Sequence, residues 1–204
     1  MSFDEYAKHW DTDFRIKRAK TIAKEIEKVL ERTENYIAME FGCGTGLISF
    51  NLVDRFNKLT LVDSSKGMID IVKAKIEQYE AKNIVGIELD LSKNETLDDR
   101  FDVIYSSMVL HHVQDIPQII NALKALMNVE GYLVIIDLNE EDGRFHNDFP
   151  DFDGHHGFNQ ENLKMILSDA GFADIESHTF YNDVRRSGDE AIEYSLFIMK
   201  ARLT

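Results

Sequence analysis

Cysteine and proline are almost missing from this chain. Cys43 stands alone, and Pro117 and Pro150 are the two prolines in 204 residues. A lone cysteine excludes an internal disulfide framework and fits a reducing compartment. No apolar run approaches the roughly 20 residues that a membrane-spanning helix needs. The start, Met1-Ser2-Phe3-Asp4-Glu5, is acidic with no apolar stretch behind it, so it does not read as a secretory signal. The expectation is a cytoplasmic protein without membrane association. Positive charge is also short: 23 Lys and Arg stand against 37 Asp and Glu, for a net charge of −14. Such a chain repels phosphate backbones unless it gathers a local basic patch. The densest basic stretch, Arg15, Lys17, Arg18, Lys20 and Lys24, reads as the solvated face of an amphipathic helix whose other face is Ile16, Ala19, Ala23, Ile26 and Leu30. No nucleic-acid partner is expected, whereas a small cationic ligand suits the acidic balance.

What is present alternates strand and helix, with no Gly/Ser/Pro-rich linker and no internal repeat. This is the pattern of one α/β domain over residues 1–204: a doubly wound, mostly parallel sheet with helices on both faces. The spacing predicts a helix over 14–32 and a strand from Tyr36 to Phe41. A helix from Leu47 to Phe56 and a strand from Leu59 to Val62 follow. The next helix is capped by Ser64 or Ser65 and carries Met68, Ile71, Val72, Ile76 and Tyr79 on its apolar face. Strands follow at Ile84–Leu89 and Phe101–Tyr105. Asp115 caps a helix with Pro117 in its first turn, which runs to about Asn128. Gly131 opens a fifth strand, Tyr132 to Asp137. Asn159 caps a helix that Gly171 stops. Alternation at 173–180 and 192–199 completes seven strands, the last two forming an antiparallel hairpin. The stretch 138–158 lacks periodicity but holds Phe145, Phe149, Phe152 and three histidines, and loops of that length in a compact domain are functional sites or disordered.

The sharpest local signal is Glu40-Phe41-Gly42-Cys43-Gly44-Thr45-Gly46, directly after a strand. Glycines permit the tight turn and let backbone N–H groups approach a ligand closely. In an open parallel sheet such a turn lies at the carboxyl end of the strand, where ligands bind. Asp63 ends the second strand and can accept two hydrogen bonds from a ribose diol. Asp90 ends the third and can accept one from an adenine amino group, with Leu91 packing on the ring. A single acid at a strand end is as often a turn cap. Three in succession beside a glycine loop point to a ligand. Cys43, inside the loop, reads as a space-filling residue rather than a nucleophile.

These stretches, Met39 to Gly46, Leu61-Val62-Asp63-Ser64-Ser65 and Leu89-Asp90-Leu91, resemble the class I S-adenosylmethionine-dependent methyltransferases. Phe101 to Ser107 with Leu110-His111-His112, and Gly131 to Ile135, extend the likeness over about the first 140 residues in the family's order. The resemblance implies a Rossmann-like seven-stranded sheet of order 3-2-1-4-5-7-6. It implies that Glu40 and the backbone of Gly42, Cys43, Gly44 and Gly46 hold the methionine part of the cofactor. Asp63 and Ser64 would border the ribose, Met68, Asp90 and Leu91 the adenine, and Ser106 or Ser107 the sulfonium. The activity implied is methyl transfer from S-adenosylmethionine, leaving S-adenosylhomocysteine, to a small-molecule acceptor by in-line displacement. Asn-Pro-Pro-Tyr, the signature of amino-methylating nucleic-acid and glutamine enzymes, is absent from the chain. A monomer or homodimer is expected.

The histidines carry the open question. His111 and His112 follow the fourth strand; His146, His155 and His156 lie in the loop after the fifth. They could cap and orient loops. Alternatively one of them, with His112, His146 and His156 foremost, aligns the acceptor or takes its proton. A metal role with Asp137, Glu141 or Asp142 finds no matching ligand spacing, and no metal is expected. Residues 1–33 read as an N-terminal helical lid, in which Tyr6 and Trp10 close over the site together with the 138–158 loop. Phe145, His111 and His155 are expected beside the acceptor. Two other functions share part of this pattern. A nicotinamide-dependent oxidoreductase needs a third glycine three positions after Gly44, where Leu47 stands. A non-catalytic module that binds S-adenosylmethionine would keep the pocket without turnover.

Overall fold

The structure, a computed structural model, describes all residues except Met1, Ser2, Asn94, Pro150 and Asp189, and leaves aside the side chains of Phe3 and Glu5. The first two residues of the expected lid and Pro150 of the expected loop therefore lie outside the described residues.

Two short turns, α1 (Phe3–Tyr6) and a 3₁₀ turn at Ala7–His9, precede the long helix α2 (Asp13–Val29). Thr12 starts α2 by accepting a hydrogen bond from the Arg15 N–H at 3.3 Å. Seven strands form one sheet: β1 (Ile37–Phe41), β2 (Lys58–Asp63), β3 (Ile84–Glu88), β4 (Phe101–Ser107), β5 (Met127–Leu138), β6 (Phe172–Ser187) and β7 (Glu190–Leu203). Their order is β3-β2-β1-β4-β5-β7-β6. The first five run parallel, and β7 pairs antiparallel with both β5 and β6. The fold class read from the alternation of elements and the strand order that the resemblance implies are both the ones observed.

Helices cover both faces because alternate residues of the central strands are apolar on both sides, as buried parallel strands require. On one face Ala38, Leu61, Tyr105 and Ile136 pack with Ile22 and Ile26 of α2, and with Ile69 and Val72 of α3 (Lys66–Gln78). On the other, Met39, Val62, Ile104 and Ile135 meet Ile119 and Ile120 of α4 (Ile116–Ala125), and Leu163 and Leu167 of α5 (Gln160–Asp169). The caps fall where the sequence puts them. Ser65 serves α3, Asp115 serves α4 and Asn159 serves α5, each accepting from an N–H of its first turn.

Four expectations need correction. Leu47 to Phe56 is not an α-helix but two 3₁₀ turns, Ser49–Asn51 and Val53–Arg55. Its bonds close over three residues, and the Leu52 backbone, at φ −113° and ψ 7°, breaks the run between them. The buried face of α3 carries Met68, Ile69 and Val72, while Tyr79 is 59% exposed. Helix α4 ends at Ala125, and β5 opens at Met127, four residues before Gly131. The terminal hairpin is about twice as long as its alternation suggests, because β6 and β7 continue past the sheet as a two-stranded arm.

Candidate active site

The strand order lays the carboxyl tips of β3, β2, β1 and β4 side by side, and the chain leaving each tip lines one cavity of about 670 Å³. That lies inside the ~300–1,000 Å³ range of small-molecule sites. After β1 comes the glycine loop. The N–H groups of Gly42 and Cys43 both bond to the Val62 carbonyl, at 2.8 and 2.9 Å, which folds the loop back over β2. Gly42 has φ +70°, and a side chain there would meet a Val109 methyl at 2.3 Å, so no other residue fits. Asp63 fixes the loop from the next tip: its carboxylate accepts from the Gly44 N–H at 2.8 Å and from the Ser65 N–H at 2.9 Å. Each oxygen keeps a further lone pair for a ligand.

Glu40 is 2% exposed at the end of β1. It accepts a hydrogen bond from the Ser49 hydroxyl at 2.5 Å, and Ser49 lies 2.6 Å from the Tyr105 hydroxyl. Burial pushes the Glu40 carboxyl up to about 8, against the Ser49 bonds that favour its ionised form; the nearby Asp63 charge adds to the rise. Burial also raises Asp63, with its two N–H bonds working the other way. Asp90 is held below its ordinary value, first by the Ser92 hydroxyl and also by Lys93 at 3.0 Å. A buried carboxyl with a raised pKa beside a second acid is a site that gains from an incoming cation.

Of the residues expected around a cofactor, Glu40, Gly42, Cys43, Gly44, Asp63, Ser64, Met68, Asp90, Leu91 and Ser107 line the cavity. Gly46 and Ser106 do not. Gly46 turns the chain at φ +78° against Leu61 and Phe50, and the Ser106 hydroxyl ties β4 to β1 through the Phe41 carbonyl at 3.0 Å. Arg15 and Arg18 do line it, a correction to their reading as a solvated face. Arg15 lies over the Trp10 ring at 4.1 Å and donates to the Trp10 carbonyl.

The N-terminal segment closes one wall. Trp10 lines the cavity, with its Nε1 3.4 Å from where a Gly44 side chain would begin. Asp11 accepts from the Thr45 hydroxyl at 2.5 Å and pairs with Lys75 at 2.7 Å; Lys75 in turn bonds to the Thr45 carbonyl. Asp4 accepts from the Ser65 hydroxyl and the Gly67 N–H, at 2.5 and 2.8 Å. Tyr6, 48% exposed, takes no part in the lining.

The histidines separate into distinct positions. His112 lines the cavity with Gln114 and Asp153. Its ring opens onto that space, yet the enclosing walls remove enough water to push it down to about 4, with His111 adding repulsion. Buried His146, by the same two causes with His112 adding to the repulsion, falls to about 3. Both rings are neutral at pH 7, and imidazoles of such low pKa are weak proton acceptors. His111 is 1% exposed, with Nδ1 2.6 Å from Asp137 on β5. His146 stacks on Phe152 at 3.7 Å. His156 lies 3.6 Å from Glu141, and His155 donates its N–H to the His111 carbonyl at 2.7 Å. Phe145 is buried against Tyr194 rather than facing the acceptor space, where Arg185 of the hairpin arm holds its carbonyl. His111, His146, His155, His156 and Phe145 thus stand behind the cavity wall.

With this geometry in view, the comparisons are consistent. The sequence matches the family model for a methyltransferase domain over residues 14–177. An uncharacterised methyltransferase of Schizosaccharomyces pombe is 26% identical over 152 residues, 68% of this chain and 54% of that one. Malonyl-acyl-carrier-protein O-methyltransferase of Bacillus anthracis is 24% identical over 143 residues, 69% of this chain and 50% of that one. The chain spans about half the length of these curated relatives. A SAM dependent methyltransferase from Aquifex aeolicus superposes with a TM-score of 0.71 at 17% identity, over 98% of both chains.

Proposed function

The chain belongs to the methyltransferase-domain family, among the class I S-adenosylmethionine-dependent methyltransferases, and from that premise we propose that it methylates a small-molecule acceptor held beside His112. The observation that carries the reading is one cavity lined both by three strand-tip acids with the glycine loop and by the His112, Gln114 and Asp153 wall.

When bound, S-adenosylmethionine supplies an electrophilic methyl group on a positively charged sulfur. Glu40 holds the cofactor's amino group, against a glycine loop whose Gly42, Cys43 and Gly44 N–H groups are already bonded within the protein and which therefore shapes the wall instead of donating to the ligand. Asp63 holds its ribose hydroxyls, and Asp90 and Leu91 its adenine. Arg15, a cation on the same wall, suits the carboxylate. His112, kept neutral, orients the acceptor by a hydrogen bond rather than by taking up a full proton, so alignment is the main contribution of the protein. Trp10, pinned through Asp11, keeps water from the glycine-loop side. The substrate lid of this reading is the N-terminal segment with the 138–158 loop, the latter held by the bonds from Arg185 and Ser187 to Asp148.

The test is incubation of the purified protein with methyl-labelled cofactor and a small-molecule extract. Label should pass to an extract component, and the His112→Ala variant should lower turnover more than ten-fold while cofactor binding stays intact. Binding of the cofactor with no labelled product from any extract would reduce the protein to a binding module.

A further inference from the structure

At and behind the cavity wall lies a group of side chains of which the methyl-transfer reading uses His112 alone. His111 and His112, in the turn after β4, and His146, in the loop after β5, each present a ligand atom, and these atoms all lie within 4.8 Å of one another. Nitrogen ligands about 2.0–2.1 Å from a tetrahedral zinc ion stand roughly 3.3 Å apart. Side-chain rotation in these two short turns spans the difference.

Two independent features point to a ligand. His146 is 6% exposed, and its Nδ1 is buried without any hydrogen-bond partner. A buried polar nitrogen left unpaired costs about 1–3 kcal/mol, so it calls for a partner. Asp137, fully buried on β5, grips His111 twice, accepting from its N–H and meeting Nδ1 at 2.6 Å. That leaves Nε2 as the ring nitrogen available for a ligand, in the carboxylate–histidine pairing that orients and strengthens metal-binding imidazoles. Packing alone explains neither feature: the Phe152 stack fixes the His146 ring plane but gives Nδ1 no partner.

We propose that His111, His112 and His146 bind a divalent transition-metal ion, zinc or a similar imidazole-preferring metal, with Asp137 as the orienting carboxylate. Three protein nitrogens leave a fourth position for water or for an oxygen ligand, the arrangement of catalytic rather than structural zinc sites. Because His112 also lines the cavity, the ion adjoins the acceptor space. The acceptor class this favours is an oxygen acid, a hydroxyl or carboxylate; that part rests on the methyl-transfer reading, and the binding of the ion does not.

The experiment is titration of the chelator-treated 204-residue chain with Zn²⁺, and with Co²⁺ read by its visible absorption. One equivalent should bind, with the strong visible bands of a four-coordinate cobalt site. His146→Ala and His112→Ala should each weaken binding at least 100-fold, and Asp137→Asn by about 10–100-fold. His112 is exposed, so its variant should fold even where Asp137→Asn does not; thermal melts establish this. The proposal is overturned if the wild-type protein binds no equivalent, or if His146→Ala binds as tightly as wild type. It is also overturned if binding depends on Glu141 and His156, the group on the other side of His146, and not on His112. Calorimetry with S-adenosylhomocysteine on the same samples keeps the two readings apart. Heat from that compound without metal uptake removes the ion alone, and metal uptake without that heat removes the cofactor reading.

Discussion

Glu40 carries the most distinctive chemistry of any single residue. Its carboxyl is pushed up to about 8 from an ordinary 4.5, so at pH 7 the free protein holds that proton. An incoming cationic amino group or sulfonium favours the ionised form. Cofactor binding at pH 7 should therefore release close to one proton, measured as a dependence of calorimetric heat on buffer ionisation enthalpy. Glu40→Gln should abolish the release; no release in the wild-type protein would contradict the assignment. The same shift has a signed effect on stability. Between pH 4.5 and 8 the folded state binds more protons at this site than the unfolded state, so the stability due to Glu40 is lost as pH rises. The full penalty is up to about 5 kcal/mol above pH 8, at 1.36 kcal/mol per pKa unit. Denaturant midpoints of Glu40→Gln should accordingly gain on wild type between pH 6 and 9. Much of this was legible in the sequence: Glu40, Asp63 and Asp90 stand at strand ends where apolar runs stop. The raised pKa of Glu40 was not, because it comes from the burial of the carboxyl in the assembled sheet and from the Asp63 charge 23 residues away in the chain, which outweigh the Ser49 bonds.

At the scale of elements, the N-terminal segment is fastened by a few polar contacts rather than by a large apolar face. Asp11 joins it to Thr45 and Lys75, and Asp4 joins it to the start of α3. Asp11→Ala should free Trp10 from the glycine loop. The expected result is a red-shifted tryptophan emission and cofactor affinity reduced by about ten-fold, roughly 1.4 kcal/mol, with the melting temperature little changed. Unaltered emission and affinity would make the segment a bystander. Ser65 serves two elements at once, capping α3 and holding Asp4. Ser65→Ala should cost about 1 kcal/mol, a fall of about 2–4 °C in a thermal melt for a chain of this size. Helix caps and strands were readable because each has a local signature. The helix expected at 47–56 was not realised, because the residues after the loop form two i→i+3 turns that carry Ser49 to Glu40. Helical periodicity places Arg15 and Arg18 on a solvated face, and it cannot register that the cavity opens beside that same face.

Across the whole molecule, one sheet sets the plan. A strand order with β1 and β4 at its centre puts the glycine loop and the His111–His112 turn on adjacent tips, and β5 beside them brings the loop after Leu138 over both. The histidine cluster was invisible in the sequence because 35 positions separate His111 from His146, and the match of turn to turn appears only in three dimensions. The acidic balance of −14 agrees with a cavity in which Glu40, Asp63, Asp90, Asp115 and Asp153 outnumber Arg15 and Arg18. The most direct measurement of the central claim is a calorimetric titration of the intact protein with S-adenosylhomocysteine, run beside Asp63→Ala. One site per chain should saturate, with affinity at least ten-fold weaker in the variant. A folded wild-type protein that gives no heat, or an Asp63→Ala variant that binds as tightly, would contradict the account.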